Sequence, residues 1–222
     1  MKKKEKLEQL YLQAQELGVS SREVGEYFLS KDVKAPSVVQ EYQTPAEVLP
    51  GMYVYADGLI SAELITGRQV KAVVGYVEGK TVYAVCLKAK ELPWSSDCLE
   101  VKASRDLTDG TEATAVILAA AKQKRGKAEA AQWCHDYAED GVIQGEAFLP
   151  SLTELEKLFA NKAAINVSLK ALGAALFERW YWSSTEGTNT SAWKFSMNYG
   201  YRNGNFKSNS NNYARSVITI LL

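Results

Sequence analysis

The chain has 222 residues, 46% of them apolar and 23% charged, and its 26 basic and 26 acidic residues give a formal net charge of zero. This composition is typical of a globular protein with a sizeable core, and the length suits one domain with a small appendage. A neutral chain gives no overall electrostatic reason to bind nucleic acid or an anionic membrane. No apolar run follows the basic start at Met1–Lys6, and no stretch is long and apolar enough to span a bilayer. We therefore expect no signal peptide and synthesis in the cytoplasm, with incorporation into a phage particle left open.

The first thirty residues show helical periodicity. Apolar residues recur every three or four positions over residues 5–17, which end at Gly18, and Ser20 with Glu23 forms a capping box for a second helix. The pair resembles a helix-turn-helix, but it lacks a third helix and its second helix offers little basic surface to phosphates. We predict a helical hairpin over residues 1–30 that self-associates or attaches to the main domain or to a larger assembly. DNA binding is the less favoured alternative.

Three prolines interrupt regular structure after this hairpin: Pro36, Pro45 and Pro50. We predict a semi-rigid linker over residues 31–50 and a main domain over residues 51–222. Within that domain, strand-like residues 70–77 and 81–87 flank a turn that contains Gly79, which predicts a β-hairpin.

Three helices are predicted after the β-hairpin. Asp109 begins a predicted helix that runs to Lys124, and a second helix is predicted over residues 128–137. A third helix begins at Ser151, where Glu154 stands in the position that completes a capping box.

Several residues with chemical potential are interpreted as structural. The cysteines lack metal-ligand spacing and are expected to be reduced and mostly buried: Cys86, Cys98 and Cys134. The single histidine, His135, has no visible catalytic or metal-binding partner, so a structural or surface position is favoured. Trp94 lies in a predicted loop and is interpreted as a packing anchor.

Residues 181–216, which we call the display segment, differ in composition from the rest of the chain. They are rich in Asn, Ser, Tyr and Gly, and no acidic residue follows Glu186. The cations that remain after it are Lys194, Arg202, Lys207 and Arg215. Binding loops on rigid scaffolds favour these residue types, because Tyr gives a large contact area and small polar residues adapt their hydrogen bonds. We predict a weakly basic ligand-binding surface, with a solvated polar loop as the alternative.

An alternation of apolar and polar residues over 192–198 predicts a strand in the display segment. Its predicted core residues are Trp193, Phe195 and Met197. Its predicted solvent-facing residues are Lys194, Ser196 and Asn198. The apolar run at residues 217–222 is predicted to return the chain to the sheet. The candidate ligand-binding residues are Asn189, Lys194, Ser196, Asn198, Tyr199, Tyr201, Arg202, Asn203, Asn205, Asn209, Asn211, Asn212 and Tyr213.

Short motifs in the main domain occur in one order: Leu107–Gly110, Ala130–Cys134, Phe148–Leu155, Tyr181–Glu186 and Ala214–Val217. This series resembles the bacterial and phage domains of the DUF1566 type over residues 51–222. Such domains look like C-type-lectin-fold modules related in architecture to formylglycine-generating enzymes. The resemblance implies an α+β fold with small antiparallel sheets and two to three helices. The last motif departs from the Val-Arg-Pro-Val-Arg element usual in the family.

The family also resembles the variable proteins of diversity-generating retroelements, found in phage receptor-binding tips and bacterial surface proteins. The resemblance implies a non-enzymatic protein that binds a protein or glycan ligand through the display segment. Mutagenesis of template adenines in those systems diversifies Asn codons, which fits the Asn-rich segment. An undiversified Asn-rich loop in a structural or adhesin-type domain would have the same composition.

Two further functions of such folds have weaker support in the sequence. An oxidative enzyme of the formylglycine-generating type needs a reactive cysteine pair, and the cysteines match no such motif. Calcium-dependent sugar binding needs clustered carboxylates, and none follow Glu186. We therefore predict no cofactor and no calcium at the display segment, while a calcium site elsewhere in the scaffold is left open.

Overall fold

The computed structural model describes residues 43–222, so the hairpin predicted over 1–30 and most of the predicted linker lie outside the described residues. Nine strands and four α-helices occur in that range. The strands are β1 Tyr53–Tyr55, β2 Ile60–Ser61, β3 Val70–Glu78, β4 Thr81–Glu91, β5 Ala147–Phe148, β6 Trp180–Glu186, β7 Ser191–Ser196, β8 Arg202–Phe206 and β9 Tyr213–Leu221. The helices are α1 Gly110–Lys124, α2 Glu129–His135, α3 Leu152–Ala160 and α4 Lys162–Ala171, with one 3-10 turn at Lys102–Ser104.

All nine strands belong to one sheet, in the order β2-β1-β3-β4-β9-β6-β7-β8, with β5 also paired to β9. Neighbouring strands are antiparallel except β6 and β9, which run parallel and meet at Tyr181 and Tyr213. The apolar run near residue 220 does return the chain to the sheet, as predicted, and it does so at the centre. The prediction of a mixed helix-and-sheet fold is confirmed at that level. The prediction of several small sheets is wrong, because β9 joins the β1–β4 half to the β6–β8 half.

The described residues contain four α-helices, where the sequence predicted two or three. Asp109 caps α1 by accepting hydrogen bonds from the N–H groups of Thr111 and Glu112, as its position predicted. The capping box of Ser151 and Glu154 also forms at the start of α3. The additional helix α4 follows α3 directly and has no side-chain cap, so it carried no start signal.

Two apolar clusters form the core. One packs Ile117 of α1 and Ala131 of α2 against Trp94, Trp182 and Ala214. The indole N–H of Trp94 donates to the carbonyl oxygen of Ser183 at 2.9 Å, which confirms that Trp94 is a packing anchor.

The second cluster lies along the β-hairpin predicted around Gly79, which β3 and β4 form as expected. It gathers Val54, Val74, Ala84 and Ile218 from four strands. Together the two clusters fix both halves of the sheet around β9.

The end of the predicted linker lies against the domain. Val48 is buried, and the hydroxyl oxygen of Thr44 accepts a hydrogen bond from the N–H of Ile60 at 3.1 Å. None of the helices in residues 43–222 combines the length and apolarity needed to cross a membrane.

The cysteine prediction is confirmed. Cys86 and Cys134 are buried, Cys98 is partly exposed, and all three are free thiols. Burial raises the pKa of the Cys134 thiol to about 12 and also raises that of Cys86. Both groups are therefore uncharged thiols at neutral pH.

Candidate functional site

The alternation of buried and exposed side chains predicted for residues 192–198 is only partly observed. Phe195 and Met197 are buried and Asn198 is exposed, as predicted, but Ser196 is only 1% exposed and Trp193 is half-buried. The strand is covered on both faces, by Phe159 of α3 on one and by the Trp94–Trp182 cluster on the other. A strand without a fully solvated face does not follow a simple in–out period.

Ser196 has a structural role that explains its burial. Its hydroxyl oxygen accepts the N–H of Tyr199 at 3.2 Å, and its carbonyl oxygen accepts the N–H of Gly200 at 2.9 Å. These bonds close the turn between β7 and β8. The prediction that Ser196 faces solvent as a ligand-binding residue is therefore wrong.

Trp180, Tyr199 and Tyr201 form a surface that we call the aromatic ledge. Tyr199 is 72% exposed and Tyr201 is 51% exposed, and their stacked rings lie 6.1 Å apart between centroids. The Trp180 ring meets the Tyr201 ring edge-on at 5.3 Å, and the ammonium of Lys194 lies 4.3 Å from the Trp180 ring centroid. The structure thus brings three predicted residues together and adds Trp180, which directly precedes the Tyr181–Glu186 motif.

A glycine turn holds the two tyrosines of the ledge in place. Gly200 has a φ of +76°, and a Cβ atom at this position would lie 2.6 Å from the ring of Phe159. Only glycine fits a turn that is both left-handed and pressed against a buried ring. The ledge is therefore fixed by its backbone and by α3.

Strand β8 divides the other predicted residues between two faces. Asn203 and Asn205 oppose Lys194 and Ala192 in the β7 register and share the face of the ledge. Arg202, Phe206 and Trp193 all lie on the other face of the sheet. There the Arg202 guanidinium lies 5.6 Å from the Trp193 ring centroid. The predicted binding residues are thus not one continuous patch.

The amides of the loop after β8 mainly hold the loop itself. The Asn209 side chain accepts the N–H of Asn211 at 2.8 Å, and the Asn212 side chain accepts a hydrogen bond from the Lys194 ammonium at 3.1 Å. Asn212 is 1% exposed, so its prediction as a solvent-facing ligand contact is wrong. Asn209 thus satisfies a backbone group of its own loop, as short polar side chains commonly do, while Asn211 stays exposed. Asn189 is exposed, and its side chain accepts a hydrogen bond from Arg105 at 2.9 Å.

Asn198 and Tyr213 meet in a cleft of about 560 Å³ on the domain surface. The other lining residues are Ala89, Ala175, Leu176, Glu178, Arg179 and Tyr181. The Arg179 guanidinium lies 5.9 Å from the Tyr213 ring centroid. The cleft therefore offers an aromatic surface, an amide and one charge of each sign, and Asn198 connects it along the chain to the ledge.

Glu186 anchors the display segment to the scaffold through a buried ionic cluster. Its carboxylate is fully buried and accepts hydrogen bonds from the Lys207 ammonium, from Arg105 Nε at 2.7 Å and from the N–H of Val101 at 2.7 Å. The Lys207 ammonium also donates to the carbonyl oxygens of Leu99 at 2.7 Å and of Asn189 at 2.9 Å. Burial lowers the pKa of Lys207, and its bond to Glu186 opposes that shift.

Arg215 is a second buried cation that the sequence did not reveal. Its guanidinium donates to the carbonyl oxygens of Cys86 at 2.9 Å, Leu87 at 2.7 Å and Ala175 at 2.7 Å. Burial lowers the pKa of Arg215. The prediction of a weakly basic surface is therefore too strong, since Lys207 and Arg215 are both inside the protein.

No group of three or more His, Cys, Asp or Glu side chains within residues 43–222 is placed to hold a metal ion. The arrangement found there is one of aromatic, amide and cationic side chains on a braced sheet edge. Such an arrangement can bind a ligand by stacking and hydrogen bonding.

No family model matches the chain, and no curated protein matches it. Among solved structures, the chain is similar to a fimbrial protein from Bacteroides ovatus ATCC 8483, with a TM-score of 0.59 and 15% sequence identity. The match covers 79% of this chain and 49% of that protein, so the chain spans about half the length of the structure it resembles. At this identity the likeness concerns the fold alone.

Proposed function

We propose that residues 43–222 form an adhesin-type domain that binds a ligand without catalysis, with the aromatic ledge as its main contact surface. The observation that carries this proposal is the exposure of Tyr199 and Tyr201 on a turn fixed by Gly200. Rigid, exposed aromatic side chains supply most of the free energy of many interfaces at low entropic cost. The fold likeness to a fimbrial protein supports the adhesin-type role.

The neighbourhood of the ledge favours an extended ligand, either a glycan or a protein loop. Asn203 adds an exposed amide on the same face, and Asn198 leads into the cleft. A ligand that stacks on the ledge and reaches the cleft would meet hydrogen-bonding groups at both places. We propose that the ligand contacts five residues: Asn198, Tyr199, Tyr201, Asn203 and Tyr213.

Replacing Tyr199 and Tyr201 together by alanine is expected to weaken ligand binding by about 2 to 4 kcal/mol, as for paired hot-spot residues. Candidate ligands are the glycans of an array and a panel of immobilised proteins, and biolayer interferometry measures the affinities. The melting temperature is expected to change little, because both rings are exposed. The control is Ile143→Ala, which truncates an equally exposed apolar side chain outside this surface. Unchanged affinity of the double variant for every ligand retained by the wild type would refute the proposal.

The non-enzymatic part of the proposal has support from the buried thiols. A reactive cysteine must be an accessible thiolate, and burial raises the pKa of both Cys86 and Cys134. In the folded protein at pH 8, we expect iodoacetamide to modify Cys98 and to spare the other two until denaturant is added. Mass spectrometry of the labelled peptides checks this, and rapid labelling of Cys134 in the native state would reopen an enzymatic function.

We also propose, from the motif resemblance, that the scaffold is a C-type-lectin-fold domain of the DUF1566 type. The burial of all six residues of Tyr181–Glu186 supports this, because a family signature of that kind suits a scaffold strand. Retroelement-driven variation of the display segment is part of the same hypothesis. It would act on exposed positions such as Asn189, Asn198 and Asn203, while buried Asn212 and Arg215 would tolerate little change. A reverse-transcriptase gene beside a near-copy of this coding segment, differing at adenines, is the observation that tests it.

A further inference from the structure

Strand β8 is one edge of the sheet, and among the described strands it pairs only with β7. The N–H of Ser196 donates to the carbonyl oxygen of Tyr201, and the N–H of Lys207 donates to that of Thr190, so Tyr201 and Lys207 direct their backbone groups toward β7. Because backbone groups alternate in direction along an antiparallel strand, Arg202, Gly204 and Phe206 direct theirs away from the sheet. The outward edge is thus a row of hydrogen-bonding groups ready for another strand.

Within residues 43–222, this edge has little of the usual protection against pairing, and Arg202 is its one charged side chain. Natural edge strands are blunted by charged side chains, above all lysine, and by proline, bulges or a covering segment. Residues 202–206 contain no lysine or proline, and their ladder with β7 runs through five residue pairs without a register shift. The opposite edge of the sheet, β2, has only two residues. An open and regular edge of this kind indicates a strand-pairing surface.

The sequence of β8 is complementary to itself about Gly204. In an antiparallel pair with a two-fold axis at Gly204, Asn203 faces Asn205 of the second copy, and the two amides can hydrogen-bond to each other. Arg202 faces Phe206 of the second copy, which allows a cation–π contact of the kind Arg202 already makes with Trp193. The two Arg202 side chains are offset by four residues, about 13 Å along the strand, so their repulsion is screened.

The outward backbone groups fit the same register. Arg202, Gly204 and Phe206 of one copy face Phe206, Gly204 and Arg202 of the other, so the outward groups of each pair meet. The N–H of Phe206 donates to its neighbour Asn205 at 2.9 Å in the single chain, and pairing exchanges that acceptor for a carbonyl oxygen. The exchange releases the Asn205 amide to bond with Asn203 of the second copy.

We propose that two copies of this chain associate by antiparallel pairing of β8 about Gly204. The two-fold axis is normal to the sheet, so both aromatic ledges lie on the same side of one continuous sheet. A five-residue edge buries less area than a standard interface, which places the dimer in the weak class with a Kd on the order of 10–100 µM. Because the dimer has two ledges on one surface, it can contact a multivalent ligand at two places.

Introducing a charged side chain at position 204 tests this register. Apart from Gly204 itself and its two chain neighbours, no heavy atom lies within 4 Å of where a Cβ would stand at position 204, and its φ lies outside the left-handed region, so larger residues fit the single chain. In the dimer, position 204 faces itself with Cβ atoms roughly 5 Å apart, where like charges repel. Gly204→Lys and Gly204→Asp should each abolish dimerisation, and an equimolar mixture of the two should restore it as a heterodimer.

The measurement is sedimentation velocity of the full 222-residue chain and its variants over roughly 5–500 µM, with the melting temperature of each as a folding control. We expect a concentration-dependent dimer for the wild type and for the mixture, and monomers for each variant alone. A wild type that stays monomeric overturns the proposal. So does a Gly204→Lys variant that dimerises like the wild type, since association would then use another surface such as residues 1–42. If only one variant is folded, its comparison with the wild type decides alone.

Discussion

We expect Arg215→Leu to lower the free energy of unfolding by about 3 to 5 kcal/mol, because each buried acceptor left without a donor costs about 1 to 3 kcal/mol. The guanidinium supplies donors to the carbonyl oxygens of Cys86, Leu87 and Ala175. A leucine fills part of the volume but leaves three acceptors without their donor. For a domain of this size, such a loss corresponds to a melting temperature about 6 to 20 °C lower.

Urea unfolding followed by circular dichroism measures this loss. The matched control is Arg202→Leu, an arginine on the exposed edge strand, for which we expect a change within about 0.5 kcal/mol. Arg215→Lys should also be strongly destabilising, because an ammonium cannot span carbonyls on three residues as a planar guanidinium does. A stability of Arg215→Leu equal to that of the wild type would show that the cost of burying the charge cancels its hydrogen bonds.

Lys207→Met should cost about 3 kcal/mol, because it leaves the buried Glu186 carboxylate without its ammonium partner. Arg105 and the N–H of Val101 still bind that carboxylate, which keeps the loss at the low end of the range for broken buried pairs. The double change Glu186→Gln with Lys207→Met removes both charges and should recover part of the stability. In a double-mutant cycle, we therefore expect the double variant to lose less stability than the sum of the losses from Glu186→Gln and Lys207→Met alone.

The surface pair of Lys102 and Glu100 provides the control for this cycle. Its ammonium and carboxylate lie 3.3 Å apart, and the Lys102 side chain is largely exposed. Lys102→Met should therefore change stability by less than about 0.5 kcal/mol. Urea unfolding of all variants supplies the comparison, and additive losses at Glu186 and Lys207 would mean that the two groups stabilise the fold independently.

Local signals account for the parts of the fold that the sequence predicted. The caps at Asp109 and Ser151 and the hairpin around Gly79 depend on residues within a few positions of each other, and the structure confirms all three. The exposure of Tyr199 and Tyr201 was predicted in the same way, from a polar segment with turn residues. Trp94 was recognised because a large aromatic side chain in a loop usually packs inward.

Features that depend on distant contacts were not predicted. Arg215 bonds to Cys86, 129 positions earlier in the chain, and Lys207 bonds to Leu99, 108 positions earlier. Nothing near either residue distinguishes it from an exposed cation, because its burial is decided by partners from other elements. The single sheet was missed for a related reason, since one parallel contact between Tyr181 and Tyr213 joins its halves.

The central position of β9 has a consequence for synthesis. The two long neighbours of β9 in the sheet, β4 and β6, are both made before it, as is the short β5. While residues 213–221 are still inside the ribosome, those two strands have edges with no partner between them, and exposed edges of that kind invite aggregation. Closure of the domain therefore waits until residue 221 has left the ribosome, and nascent chains stopped before that point should be substrates for chaperones and proteases.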